Sequence, residues 1–234
     1  MSLKAVHYIN QFYAGLGGET MADTPFGVMD ELKGPALGLN TQFKGEMTIT
    51  KVMYAGDNYI NTDENWDLVK SQIAAVIAEE KPDVFIAGPA FNAGRYGVAC
   101  AKVCDYVRAE LGVPSVTGMW WENPAVGMFV KDNYIIASTE TATGMRKTLP
   151  TVANLALKLA KGEKIGPAAQ EGYLETGHRN NEIVENLRII ILISLCCVLF
   201  SFYFDMFVCI TNKVISDCNS LHLPARLKLD IGSA

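Results

Sequence analysis

Apolar segments of two different periodicities alternate along most of this chain, and no other feature restricts its fold as much. Residues 4–9 (KAVHYI), 47–55 (MTITKVMYA), 83–87 (DVFIA), 115–119 (SVTGM) and 133–137 (NYIIA) are short β-rich runs. The run 83–87 is uniformly apolar after Asp83, as the buried centre of a parallel sheet requires. Stretches with a helical stripe lie between them. Residues 66–80 put Val69, Ile73, Val76 and Ile77 on one side and stop at Pro82. Residues 96–111 do the same with Cys100, Val103, Cys104, Val107 and Leu111, and Gly112 reads as the left-handed cap before Pro114. Residues 144–161 turn Met145, Leu149, Val152, Leu155, Ala156 and Leu159 inward. Lys158 and Lys161 sit in that helix's last turn, where its dipole favours cations, and Gly162 caps it. This spacing predicts an α/β fold: a mainly parallel sheet with helices on both faces, Rossmann-like and three-layered, joined by right-handed crossovers. The Gly- and Pro-containing stretch from Gly15 to Gly45 reads as irregular, Gly56-Asp57-Asn58 reads as a turn, and no internal repeat is present.

The chain has 234 residues, half of them hydrophobic, which suffices for one large or two small domains with a substantial core. A net charge of −5 without any basic run argues against a nucleic-acid partner. The opening residues lack the basic start and apolar core of a signal peptide, with polar Asn10 and Gln11 already present, so the chain reads as cytoplasmic and its cysteines as reduced. Cys100 and Cys104 lie four apart on one helix. They can be core residues or half of a metal site, and the absence of a nearby histidine or second cysteine pair favours the core; no metal is expected. The sequence contains no GxGxxG loop after a strand, no GxxxxGK[ST], no GxSxG and no HExxH.

Near residue 182 the character changes. Residues 1–182 read as one α/β domain, and 183–234 as an atypical tail dominated by IIILISLCCVLFSFYF at 189–204, with no helical or strand periodicity. Its length approaches the ~20 residues that span a bilayer, so 189–210 is a candidate membrane anchor. The competing reading is a frameshift or truncation product, and the abruptness of the change favours it.

In a parallel sheet, ligands bind beyond the carboxyl ends of the strands. The residues that follow the strands are Asp57 and Asn58; Phe91, Asn92, Arg95 and Tyr96; Trp120, Glu122 and Asn123; and Ser138 to Thr141. Arg95, at a helix start, can grip a carboxylate or be a surface charge. Asp57 or Glu122 can meet an ammonium group, although Asp57 and Asn58 can also merely shape a turn. Trp120, Trp121, Phe91 and Tyr96 can face a methylated ammonium through cation–π contacts or serve as packing. His7, inside a strand, reads as structural. The residues alone lead to an α/β domain that binds a small polar ligand at its strand ends.

Several long segments go further. HYINQFYAGLGGE (7–19), YAGDNY (54–59), KPDVFIAGPAFNAGRYGVAC (81–100), GVPSVTGMWWENP (112–124), GMRKTLP (144–150) and LALKLAKGEKIGP (155–167) resemble the selenoprotein subunit of component B of glycine, sarcosine and betaine reductases, over about residues 4–180. The resemblance implies an oxidoreductase subunit of amino-acid-fermenting anaerobes that reductively deaminates glycine or an N-methylated derivative. It further implies a partner polypeptide with a pyruvoyl group that holds the amine, and a selenocysteine that displaces the amine to leave a selenoether. That intermediate passes to the component A selenoprotein, and component C releases acetyl phosphate. A selenol ionises more readily than a thiol, which suits it to covalent displacement. The family's selenocysteine segment has no counterpart here. The expectations are therefore a component B subunit cut short, with no catalytic residue and no cofactor of its own, inactive alone. The alternative is a non-catalytic amino acid- or betaine-binding domain with a membrane-anchored tail. The substrate-binding set expected is Asp57, Asn58, Phe91, Asn92, Arg95, Tyr96, Trp120, Glu122 and Asn123.

Overall fold

The structure, a computed structural model, describes residues 2–177 and, beyond them, Lys213 alone. The expected boundary near 182 and the 189–210 apolar run lie outside the described residues. Among those described, no helix is long and apolar enough to cross a membrane.

The elements follow in order: β1 (Leu3–Asn10), β2 (Gly27–Met29), α1 (Pro35–Gln42), β3 (Met47–Ala55), α2 (Asp57–Asn61), α3 (Asp63–Glu80), β4 (Val84–Phe91), α4 (Gly94–Ala109), β5 (Ser115–Met119), α5 (Pro124–Phe129), β6 (Tyr134–Ala137), α6 (Met145–Ala160) and α7 (Ala168–Glu171). The strands form one six-stranded sheet in the order β2-β3-β1-β4-β5-β6. All neighbouring pairs are parallel except β2 with β3, which is antiparallel at the edge. The chain is thus of the α/β class.

The period-2 pattern of the strands sorts the core into two layers. From β1, Val6 and Tyr8 pack against Val69, Ile73 and Ile77 of α3 and the buried side of α4. Ala5 and Ile9 face the other way, onto Leu39 of α1 and Leu149, Val152 and Leu155 of α6. Helices therefore cover both faces, and every residue of β4 is buried, which explains its uninterrupted apolar sequence.

Boundaries moved where local chemistry outweighed pattern. Helix α3 begins at Asp63, three residues before the expected start at Trp66, with Asp63 and Glu64 against its N-terminal dipole. It ends with Lys81 in the left-handed region ahead of Pro82. Strand β4 runs on to Phe91, although its pairing with β5 breaks register between Ala87 and Phe91. Helix α4 is capped by Glu110, and Gly112 takes its φ of 70° in the turn beyond rather than as the cap. The stretch from Gly15 to Gly45 is not wholly irregular, since it contains β2 and α1. Gly34-Pro35 opens α1 with proline at the first helical turn, and Gly38 lies against Leu149, where a Cβ would clash.

His7 is fully buried and bonds the Gly88 carbonyl oxygen through Nε2 at 2.6 Å, which ties β1 to β4. Burial lowers its pKa to about 4. The unfolded chain takes up a proton near pH 6.5 that the folded chain refuses until about pH 4. Stability is therefore full above the unfolded pKa and falls as pH drops through this window, by about 3 kcal/mol in total. Urea unfolding between pH 7 and 4.5 is expected to show that slope, and His7→Gln to flatten it; a slope identical in the variant would assign it to other groups.

Candidate functional site

The parallel strands succeed one another in space as β3-β1-β4-β5-β6. Chain order reverses at the β1/β4 boundary, and in open α/β sheets that reversal opens a crevice at the carboxyl edge. A cleft of about 390 Å³ lies there. Its walls are Asn10 to Tyr13 after β1, Asp57 after β3, Ala90 to Ala93 and Tyr96 at the β4–α4 junction, Glu140 to Ala142 after β6, and Gly18 and Glu19.

Asp57 is the most constrained of these groups. The Gly56 N–H donates to the Thr24 carbonyl at 2.8 Å, and the Asn58 and Tyr59 N–H groups donate to that of Ala22 at 2.8 and 3.2 Å. A Cβ on Gly56 would stand 2.1 Å from the Ala22 oxygen, so glycine alone allows this approach. The Asp57 side chain is buried, and its Oδ2 accepts from Asn10 Nδ2 at 3.1 Å and Gln11 Nε2 at 3.5 Å. Gln11 Oε1 in turn accepts the Asp57 N–H at 3.1 Å, so one side chain holds both the backbone and the carboxylate. Oδ1 is buried and accepts no hydrogen bond among the described residues. Burial raises the Asp57 pKa, while the Asn10 and Gln11 hydrogen bonds and the Arg95 charge oppose that rise and Glu19 adds to it. Its charge also helps to hold the buried Tyr8 and Tyr96 phenols neutral.

Of the residues expected from sequence, Asp57, Phe91, Asn92 and Tyr96 meet in this cleft, and five do not line it. Arg95 is exposed, bonds Asn58 Oδ1 at 2.6 Å and pairs with Glu19, so its guanidinium closes on a neighbouring carboxylate. Trp120 donates its indole N–H to Glu122 at 3.1 Å beside an exposed Trp121. Asn123 is buried and structural: its Nδ2 donates to the Phe91 and Ala93 carbonyls at 3.0 and 3.2 Å, and its Oδ1 caps α5 through the Ala125 N–H at 3.0 Å. Gly97 makes room for that amide. Asn10 and Gln11 were missed. The strand-end rule applied to 4–9 points to them, because a polar pair directly follows an apolar strand.

Cys100 and Cys104 are fully buried in the core. Burial pushes both thiols up, Cys104 to about 12, so neither ionises as a nucleophile must. Among the described residues no group of His, Cys, Asp or Glu is arranged to hold a metal ion.

The family model of glycine/sarcosine/betaine reductase selenoprotein B matches residues 2–189. The chain is 47% identical over 182 residues to the glycine reductase complex component B subunit gamma of Carboxydothermus hydrogenoformans, covering 78% of this chain and 41% of that protein. It is 45% identical over 179 residues to the sarcosine reductase complex component B subunit beta of Peptoclostridium acidaminophilum, covering 76% and 41%. With the betaine reductase complex component B subunit beta of the same organism it shares 41% over 177 residues, covering 76% and 40%. The chain thus spans about two-fifths of the length of the curated relatives it matches. No solved structure matches it.

The hold on Asp57 is testable by itself. Gln11→Leu removes a donor that favours the ionised carboxylate, so the Asp57 pKa is expected to rise further, read as a shifted carboxyl carbon titration by NMR. An unmoved titration would show that Gln11 does not stabilise the charge.

Proposed function

The chain belongs to the glycine/sarcosine/betaine reductase selenoprotein B family, and on that premise we propose that residues 1–182 form the substrate-handling domain of a component B subunit, with the cleft as its amine site. The observation that carries this reading is a buried carboxylate, Asp57, held by Asn10 and Gln11 at the one place in the sheet where strand order reverses. An ammonium group is the ligand charge that such a carboxylate attracts, and Glu140 adds negative potential on the walls, where Glu19 is paired with Arg95. Ala93 and Tyr96 bring the first turn of α4 to the cleft, where unpaired N–H groups and the helix dipole favour the carboxylate end of an amino acid.

In this reading the chain binds and orients the amine, and the bond-breaking chemistry comes from elsewhere in the assembly. The described residues offer no thiol fit for it, since Cys100 and Cys104 are sealed in the core. The family's selenocysteine supplies the nucleophile, a pyruvoyl-bearing partner activates the amine, and components A and C carry the product onward to acetyl phosphate. By itself the chain binds without turnover.

Calorimetric titration of the full chain with glycine tests this. Binding is expected in the sub-millimolar range, rising as pH climbs through the elevated Asp57 pKa, because only the ionised carboxylate pairs with the ammonium. Asp57→Asn is expected to weaken it by at least about tenfold. A wild-type chain that binds no glycine, or a variant that binds it equally well, overturns the assignment.

A further inference from the structure

The walls of the cleft bear on which amine it accepts, a question that rests on the amine-site reading above. Relatives named for glycine, sarcosine and betaine reductases lie within a few per cent identity of one another against this chain, so overall similarity does not choose among them. Chemistry does. Glycine and sarcosine carry N–H groups on their ammonium; betaine carries three methyl groups and none.

A quaternary ammonium is recognised by open aromatic faces. The cleft withholds most of them. Tyr96 is 2% exposed and Phe91 4%, with the Tyr96 ring spent on Tyr8 and Tyr13 at centroid distances of 6.5 and 5.9 Å. Trp120 and Trp121, the pair best suited to a methylated cation, pair with each other and do not line the cleft. Among the described residues only Phe12 and Tyr13 keep aromatic surface at the mouth, and they meet edge-on. Acceptor-bearing residues line it as well: Asp57 and Glu140, with Glu19, whose carboxylate pairs with Arg95, and Thr141, whose hydroxyl bonds that of Thr143. Asp57 also retains a buried oxygen, Oδ1, that accepts no hydrogen bond among the described residues. A desolvated acceptor is satisfied by a ligand N–H and left unpaired by an N-methyl group, and sites built on such acceptors reject analogues that lack the donor.

We propose that this cleft selects amines that carry N–H groups, primary or secondary, and discriminates against quaternary ammonium. The full chain is titrated in parallel with glycine, sarcosine, N,N-dimethylglycine and betaine. The first three are expected to bind within about tenfold of one another, and betaine at least about tenfold more weakly than N,N-dimethylglycine, which keeps a single N–H at nearly betaine's size. Betaine binding as tightly as glycine overturns the selectivity while leaving the amine site intact. Dimethylglycine as weak as betaine shows that size decides and likewise overturns it. Binding by none of the four overturns the amine site itself, and the selectivity with it.

Discussion

Strand β1, paired with β3 on one side and β4 on the other, fixes where the crevice opens at the carboxyl edge of the sheet. Chain order reverses between β1 and β4, so the connections leaving the carboxyl ends of these two strands run in opposite directions along the sheet and part at its carboxyl edge. The same strand ends on Asn10 and runs straight into Gln11, whose side chains cross to Asp57 at the end of β3. Buried Val6, Tyr8, Ala5 and Ile9 anchor both faces of β1. The polar bridge at its tip is therefore held by the hydrophobic core beneath it, and the His7–Gly88 bond secures the β4 side.

The electrostatics of the cleft arise from a balance at one carboxylate. Burial alone drives Asp57 towards its neutral form; two amide donors and a nearby guanidinium pull it back. Arg95 contributes only at a distance, because Glu19 claims its guanidinium at the rim. Among the described residues the cleft is thus bounded by carboxylates with no side-chain cation on its walls, and the α4 N-terminus is its counterweight of positive potential. This division suits a zwitterion better than a simple anion.

Much of the fold was legible because burial imposes simple periods. The runs at 47–55 and 115–119 coincide with β3 and β5, and the stripes Val69/Ile73/Ile77 and Leu149/Val152/Leu155/Ala156 are buried. Helix α1 was not legible: Leu37 on it is exposed, Gly38 is there to admit Leu149, and no stripe results. Strand β2, three residues on the sheet edge, is too short to show alternation. The lining of the cleft was half legible. The strand-end rule found Asp57, Phe91, Asn92 and Tyr96, since backbone topology delivers them. It could not say which way side chains on a loop turn, so Trp120, Glu122 and Arg95 were expected in the cleft but satisfy one another or Glu19 instead. Asn123 lies at the right place in sequence, yet its amide is consumed by the Phe91 and Ala93 carbonyls.

The central claim is that a small amino acid binds at the β1/β4 crevice and nowhere else on the described surface. Amide chemical-shift mapping of the nitrogen-15-labelled full chain during a glycine titration tests it most directly. The account predicts saturable shifts confined to Asn10, Gln11, Asp57, Asn92, Ala93 and Glu140, all on the cleft walls. Shifts centred instead on Trp120 and Trp121, or on the separate hollow between Lys158 and Glu171, would contradict it.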